Sequence, residues 1–279
     1  MKEPVLQVNN LHYTYNGKDM ALDGVHLTIQ EKERIAVIGS NGAGKSTFFL
    51  NINGVLTPTE GEIFYRGTKI TRKSLKQLRK NIGIVFQDAD NQIIASTVMA
   101  EVSFGPMNLK LPREEVKDRV NMSLDYMNLS ALRDRPPHYL SGGEKKRVSI
   151  ADIIAMKSEI IIFDEPTASL DPVNAAMLEE VLDKLSSEGK TLLISTHDVD
   201  FAYRWADRIL VFGDGQIIAD GTPLSVFQDE AVLNRANLKR PMMLDVYTEL
   251  IKSGLLPDSG NYPRDMSSFR KCLKNSISR

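Results

Sequence analysis

Four short apolar runs punctuate the chain: Ile35–Ile38, Ile82–Phe86 (interrupted only by Gly83), Ile160–Phe163 and Thr191–Ile194. None alternates with polar residues, so each reads as a strand buried on both faces. Helical patterns separate them, and strands alternating with helices predict a mainly parallel sheet with helices on both sides. Two longer strand patterns, Val5–Tyr15 and Leu22–Gln30, flank Asn16, Gly17, Lys18 and Asp19. Asn-Gly is a strong turn signal, so these two predict an antiparallel β subdomain. The turn Pro58–Gly61 leads into a further strand at Glu62–Tyr65, and Arg208–Phe212 and Gln216–Ala219 make a terminal hairpin across Gly213, Asp214 and Gly215.

The polar-rich stretches divide into helices and loops. Lys73–Lys80 is a basic helix with a solvated face, whereas Gln87–Gln92 is too dense in hydrogen-bonding side chains for core and is expected to be a loop. From about Thr97 to Met156 the pattern is helical, which predicts an inserted helical subdomain over about 89–157. Pro112 places a proline in the first turn of a helix whose Val116, Val120, Leu124 and Met127 recur at core spacing. Pro136 and Pro137 break the chain before Leu140–Glu144, where Ser141 and Glu144 fit a capping box. Asp171 and Pro172 open another helix, which Gly189 closes. Beyond residue 222 lies a helical appendage, 223–279, with a turn-rich break at Pro257–Pro263 and a basic tail, Arg270–Arg279, expected to be partly disordered.

Composition narrows the class. The 279 residues are 42% hydrophobic and 25% charged, ordinary for a globular protein, and suffice for one large α/β domain plus an appendage. A net charge of −1 argues against a surface that coats nucleic acid. The single Cys272 fits a reducing compartment. The N-terminus lacks the apolar core of a signal peptide, and no run reaches the roughly 18–20 apolar residues of a membrane span. A cytosolic chain is expected, whose membrane role is borrowed from a partner. His12, His26, His138 and His197 are scattered without ligand spacing, so no dedicated transition-metal site is expected.

The chemistry concentrates after the first buried strand. Gly39, Ser40, Asn41, Gly42, Ala43, Gly44, Lys45, Ser46 and Thr47 match G-x-x-x-x-G-K-[ST], between a strand and a helix as that phosphate-binding motif requires. Glycines let the backbone wrap an anion, so that N–H groups and a helix N-terminus face the phosphates. Lys45 would reach the β- and γ-phosphates, and Ser46 would ligate Mg²⁺. Asp164 and Glu165 end another buried strand, where open α/β sheets bind ligands. Asp164 would hold Mg²⁺, and Glu165 would polarise the attacking water as a general base. Tyr13 and Tyr15 share one face of the first strand, which for Tyr13 reads as cross-strand packing.

In order and spacing, the phosphate loop, Gln87 after a strand, Leu140–Glu144, Ile160–Glu165, Ser169–Asp171 and His197 resemble an ABC-transporter ATPase over roughly residues 4–222. The resemblance implies an ATP site shared by two subunits, a homo- or heterodimer in which one subunit's phosphate loop faces the other's signature. By resemblance, Tyr15 stacks on adenine, and Gln87 touches Mg²⁺ and the attacking water and relays contact with a membrane partner. Ser141, Gly142 and Gly143 match the signature that binds the opposite subunit's γ-phosphate. Asp171 matches the loop crossing the dimer interface, and His197 the switch histidine. Glu144 replaces the family's usual Gln, a mild change because either closes the capping box.

Gln87–Gln92 and Glu101–Pro112 resemble the cobalt and energy-coupling-factor branch, with Asp88 and Ala89 where that branch commonly has Asn-Pro. Leu238–Pro241 likewise resembles the start of its C-terminal extension. The branch implies a peripheral ATPase at the cytoplasmic face of the membrane, with a transmembrane coupling protein and a substrate-binding membrane protein as partners. The pattern Phe104–Asn108 favours cobalt as cargo over nickel or a vitamin. An ABC ATPase acting on DNA or ribosomes would carry a long coiled coil, a zinc hook or a second cassette, and a non-hydrolysing cassette would lack Lys45, Glu165 or His197.

Overall fold

The computed structural model describes residues 3–168, 170–258 and 260–277, so Ser169 of the Ser169–Asp171 motif and the last two residues of the tail lie outside the described residues. The strands are β1 (Leu6–Thr14), β2 (Met20–Ile29), β3 (Arg34–Gly39), β4 (Glu60–Tyr65), β5 (Thr68–Lys69), β6 (Ile82–Val85), β7 (Ile160–Phe163), β8 (Thr191–Ser195), β9 (Arg208–Gly213) and β10 (Gln216–Gly221). The helices are α1 (Lys45–Ile52), α2 (Leu75–Asn81), α3 (Val98–Asn108), α4 (Arg113–Tyr126), α5 (Gly142–Met156), α6 (Pro172–Ser187), α7 (Val199–Trp205), α8 (Pro223–Gln228), α9 (Glu230–Ala236), α10 (Met242–Lys252) and α11 (Met266–Ile277).

Two sheets result. One is antiparallel, in the order β2-β1-β4-β5; the other runs β10-β9-β3-β8-β7-β6, with β9, β3, β8, β7 and β6 parallel and β10 antiparallel at the edge. Period-2 side-chain alternation splits the four apolar runs between two cores. Ile35, Val37, Ile82, Ile84, Ile160, Ile162 and Leu193 face α1 and the antiparallel sheet. Ala36, Ile38, Val85, Ile161, Phe163, Leu192 and Ile194 face the helical side. A sheet covered on both faces needs no polar register, which explains the unbroken apolar runs.

Val120, Leu124 and Met127 of the α4 region do enter the helical-side core, with Val116 packed against it. Pro112 stands one residue earlier than expected, at the N-cap of α4 rather than within its first turn. The segment Gln87–Gln92 is not wholly irregular: Asp88 accepts from Asp90 N (2.9 Å) and caps a short 3-10 turn at Ala89–Asn91. Of the basic tail, residues 270–277 lie in α11, which begins after Asp265, whose carboxylate accepts from Ser268 N (2.7 Å), a helix-start device. Phe269 of α11 packs edge-on against Tyr247 of α10, with ring centroids 6.3 Å apart.

The C-terminal helices are fastened to α7. Leu244 of α10, Leu233 of α9 and Phe227 of α8 enter the helical-side core. Met242 N donates to Asp200 at 2.6 Å, and Arg264 donates to the carbonyls of Tyr203 (2.7 Å) and Ala206 at the end of α7. Cations stabilise the carbonyl end of a helix. Arg264→Ala is expected to lower unfolding free energy by about 1.5–3 kcal/mol, the range for a charged hydrogen bond. Urea denaturation checks this; an unchanged midpoint and slope would show the contact to be idle.

Candidate nucleotide site

Parallel pairing brings the site together. The C-terminal ends of β3, β8, β7 and β6 lie side by side, so the segments leaving them share one edge of the sheet. These segments carry the phosphate loop, His197, Asp164 with Glu165, and Gln87 respectively. An open cleft of about 320 Å³ results, lined by Tyr15, Asn41 to Thr47, Gln87, Glu165 and His197. Gly39 and Ser40 form the loop's entry, and Asp164 lies buried at the end of β7.

Two glycines are required by contact. Gly39 has φ +145°, and a Cβ there would stand 2.3 Å from the Phe212 carbonyl oxygen of the paired strand β9. Gly44 has φ +103°, and a Cβ would stand 2.7 Å from the Ala21 carbonyl oxygen. With Gly44 as N-cap, no side chain caps α1, leaving its first N–H groups open toward the cleft as an anion site. Lys45 is 7% exposed and donates to the carbonyls of Gly39 (2.8 Å) and Ser40 (3.0 Å). Burial pulls its pKa down, while Glu165 and Asp164 oppose the shift.

Glu165 holds a left-handed backbone conformation, φ +45°, unusual for a side chain with a Cβ and a form of strain found at functional sites. Its Oε1 lies 2.9 Å from His197 Nε2, a close polar contact without hydrogen-bond alignment. Burial raises the Glu165 pKa, with His197 and Lys45 pulling the other way. A desolvated carboxylate in contact with an imidazole is equipped to take a proton from water. Tyr15, 64% exposed at the rim, stands edge-on to Tyr13 and exchanges a 3.1 Å hydrogen bond with Thr47. Tyr13 itself pairs across with Leu22 and packs against the sheet-side core.

The donor set suits Mg²⁺. Exposed Ser46 and Gln87 line the cleft, and Asp164 stands at the end of β7: hydroxyl, amide and carboxylate oxygens, the hard donors Mg²⁺ takes alongside substrate phosphates. When bound, Mg²⁺ supplies positive charge against the phosphate oxygens.

Ser141, Gly142, Gly143 and Asp171 are not brought into this cleft. Ser141 caps α5: its Oγ accepts from Glu144 N (3.3 Å), and its own N–H donates to Glu144 Oε2 (2.8 Å). That backbone hydrogen bond holds the Glu144 carboxyl below its ordinary range. Asp171 caps α6 through Val173 N and Asn174 N, both at 2.9 Å, and also accepts from Asn174 Nδ2 (2.6 Å). Asn174 in turn leaves no room at Gly143, where a Cβ would stand 2.7 Å from its amide. The signature turn and the Asp171 loop therefore touch each other through Asn174.

Three contributors escaped the sequence reading: Asn174, Lys146 and Ser195. Fully buried Ser195 accepts from Glu165 N (2.8 Å) and donates to Asp164 Oδ1 (2.6 Å), locking both carboxylate residues to β8. Its signal was its place at the C-terminal end of a buried parallel strand. Ser195→Ala leaves a buried N–H without its partner and takes one from the Asp164 carboxylate. The expected outcome is a kcat lower by about 10- to 100-fold from misplacement, measured by steady-state ATP hydrolysis. Wild-type turnover would show the bridge to be dispensable.

Comparison with known proteins bears on this geometry. Residues 22–168, just over half of the chain, match the ABC transporter family. The energy-coupling factor transporter ATP-binding protein EcfA2 of Methanospirillum hungatei is 44% identical over 276 residues, covering 98% of this chain and 69% of that protein. The structure of cbiO1 from Clostridium perfringens, described as part of the ABC transporter complex cbiONQ, aligns with a TM-score of 0.75 at 38% identity, over 90% of this chain and 100% of that one. A dimeric ATP-binding cassette in a post-hydrolysis state, bound to ADP and Pi, aligns with a TM-score of 0.70 at 31% identity, over 78% of this chain and 98% of that one. With the phosphate loop and the carboxylates gathered on one sheet edge as well, the chain belongs to the ABC transporter family, among its ATP-hydrolysing subunits.

Proposed function

We propose that this chain is the ATP-hydrolysing subunit of an energy-coupling-factor importer, peripheral at the cytoplasmic face of the membrane, with cobalt ions as cargo. The observation that carries the reading is the division of the motif residues: one group lines a single cleft, while Ser141–Gly143 and Asp171 stand outside it. A site missing its signature calls for a second subunit, and a reading with two subunits is supported by the dimeric state of the similar cassette bound to ADP and Pi. Among the described residues no helix is long and apolar enough to cross a membrane.

In this reading residues 1–222 form the ATPase domain, with the helical subdomain at about 89–157, and 223–279 form an extension. Tyr15 holds the adenine. Gly39 to Thr47 hold the phosphates, with Lys45 at the β- and γ-positions. Ser46, Gln87 and Asp164 hold Mg²⁺. Glu165 takes the proton of the attacking water, His197 steadies that carboxylate and the γ-phosphate, and Gln87 orients the water. The opposite subunit's Ser141, Gly142 and Gly143 close over the γ-phosphate, with Asp171 at the interface. ATP thus joins two subunits, and loss of the γ-phosphate loosens them. The cbiO1 likeness and the Phe104–Asn108 pattern support cobalt as the cargo.

Affinity purification from detergent-solubilised native membranes tests the partners: a transmembrane coupling protein and a substrate-binding membrane protein are expected with the chain. Recovery of ribosomes or DNA alone would overturn the transporter reading. Uptake by vesicles carrying the complex tests the cargo, with ATP-dependent entry of cobalt expected. Entry of nickel or a vitamin instead would overturn the cobalt assignment while leaving the importer intact.

A further inference from the structure

One buried charge of this protein has no place in the chemistry just described. Lys146 is 4% exposed on α5, within a turn of the signature residue Gly143. Its ammonium donates to two consecutive carbonyls, Phe86 (2.8 Å) and Gln87 (2.7 Å). Asp88 and Asp164 act on it only through their field. Placing an ammonium in the interior is costly unless hydrogen bonds replace its water, and these carbonyls supply them.

Neighbouring contacts make the attachment broad. Lys145 pairs with Asp90 at 2.6 Å. Gln92 donates to the Ser149 carbonyl (3.1 Å) and accepts from Phe86 N (3.2 Å). The strand of chain from Phe86 to Gln92 is thus tied along one side of α5, and Lys146 is the tie that reaches Gln87 itself. Lys146 also lines a cavity of about 220 Å³ shared by Gln87, Gly142 and Leu170, where three segments of the proposed dimer face converge.

We propose that Lys146 is a positioning residue that couples the two nucleotide sites of the dimer. It binds the Gln87 backbone, which serves this chain's own nucleotide, to the helix whose first turn, Ser141–Gly143, serves the nucleotide on the opposite subunit. The proposal rests on the split-site reading above. An α-helix is stiff over its first two turns, so a displacement of Gln87 is carried to Ser141 instead of being absorbed between them. Loss of the γ-phosphate on one side then withdraws the signature from the other. Cooperative turnover follows from one buried side chain joining two segments, each of which touches a different ATP.

The test compares Lys146→Met, which keeps the apolar stem and removes the donors, with Lys146→Arg, which retains donors. Both are made in this chain and measured in the complex purified from membranes, by the ATP dependence of hydrolysis and by thermal denaturation. For two coupled sites the wild-type Hill coefficient is expected to approach about 2. Lys146→Met should lower kcat by about 10- to 100-fold, as small misplacements of catalytic groups do, and bring the Hill coefficient to about 1. Lys146→Arg should restore most of both. A Met variant with wild-type kcat and Hill coefficient overturns the proposal. So does one whose lower rate simply follows its loss of folded protein, with the Hill coefficient unchanged. A wild-type complex that hydrolyses ATP with a Hill coefficient of 1 and shows no ATP-dependent pairing of cassettes removes the split-site reading, and the proposal falls with it.

Discussion

Glu165→Gln is expected to stop turnover while leaving ATP bound. A general base contributes about 10²–10⁴ in rate, and glutamine keeps the shape of the side chain but cannot take the proton. The surroundings of Glu165 prepare it for that task. Its backbone is held at φ +45° by the end of β7 and by Ser195, and its carboxylate faces the cleft within 2.9 Å of His197 Nε2. Burial raises its pKa, which keeps it a stronger base than a solvated glutamate. The substitution leaves the N–H groups of the phosphate loop and the hydrogen bonds of Lys45 to Gly39 and Ser40 in place, so affinity for ATP survives. Phosphate release should fall by at least two powers of ten, while equilibrium binding of radiolabelled ATP stays at the wild-type level. Hydrolysis at the wild-type rate would remove Glu165 from the base role.

Lys45→Ala should act at the earlier step and weaken binding. Truncating one partner of a buried charged contact costs about 2–5 kcal/mol, roughly one and a half to three and a half powers of ten in affinity. Nucleotide affinity measured by calorimetry should fall by that much. Lys45 is nearly enclosed, and its ammonium rests on the carbonyls of Gly39 and Ser40, so the same residue that would meet the phosphates also braces the loop. Lys45→Met, which keeps the stem, separates the two functions: packing is retained and the charge is lost. Equal loss of affinity in both variants assigns the effect to the ammonium; full affinity in the Met variant would assign it to packing.

Much of the fold was legible because its strands are buried on both faces. Ile35–Ile38, Ile160–Phe163 and Thr191–Ile194 have no polar face to confuse the period, and all three lie in parallel strands as read. The capping box was legible for a local reason: Ser141 and Glu144 satisfy each other within one helical turn. Composition said nothing of how the last helix is attached, because Phe269, just before the basic tail, finds its partner Tyr247 more than twenty positions away. Ser195, Asn174 and Lys146 were missed for the same kind of reason. Each acts through a hydrogen bond or a close packing contact with a segment that is distant in sequence, and a serine, an asparagine or a lysine in isolation carries no mark of that contact.

By itself the sequence determined the local chemistry: a loop that can wrap phosphates, a carboxylate pair at a strand end, a capped helix start, and the order in which they occur. Those features depend on neighbours within a turn or a strand, so they survive reading one window at a time. Tertiary structure alone decided which of them meet. Parallel pairing of β3, β8, β7 and β6 sets Lys45, His197, Glu165 and Gln87 on one edge, a consequence of strand order that no window contains. The same pairing leaves Ser141–Gly143 outside the cleft while Lys146 ties their helix to Gln87. Sheet order and the burial of one ammonium are properties of the whole packed chain, because each is stable only once every neighbouring segment is in place.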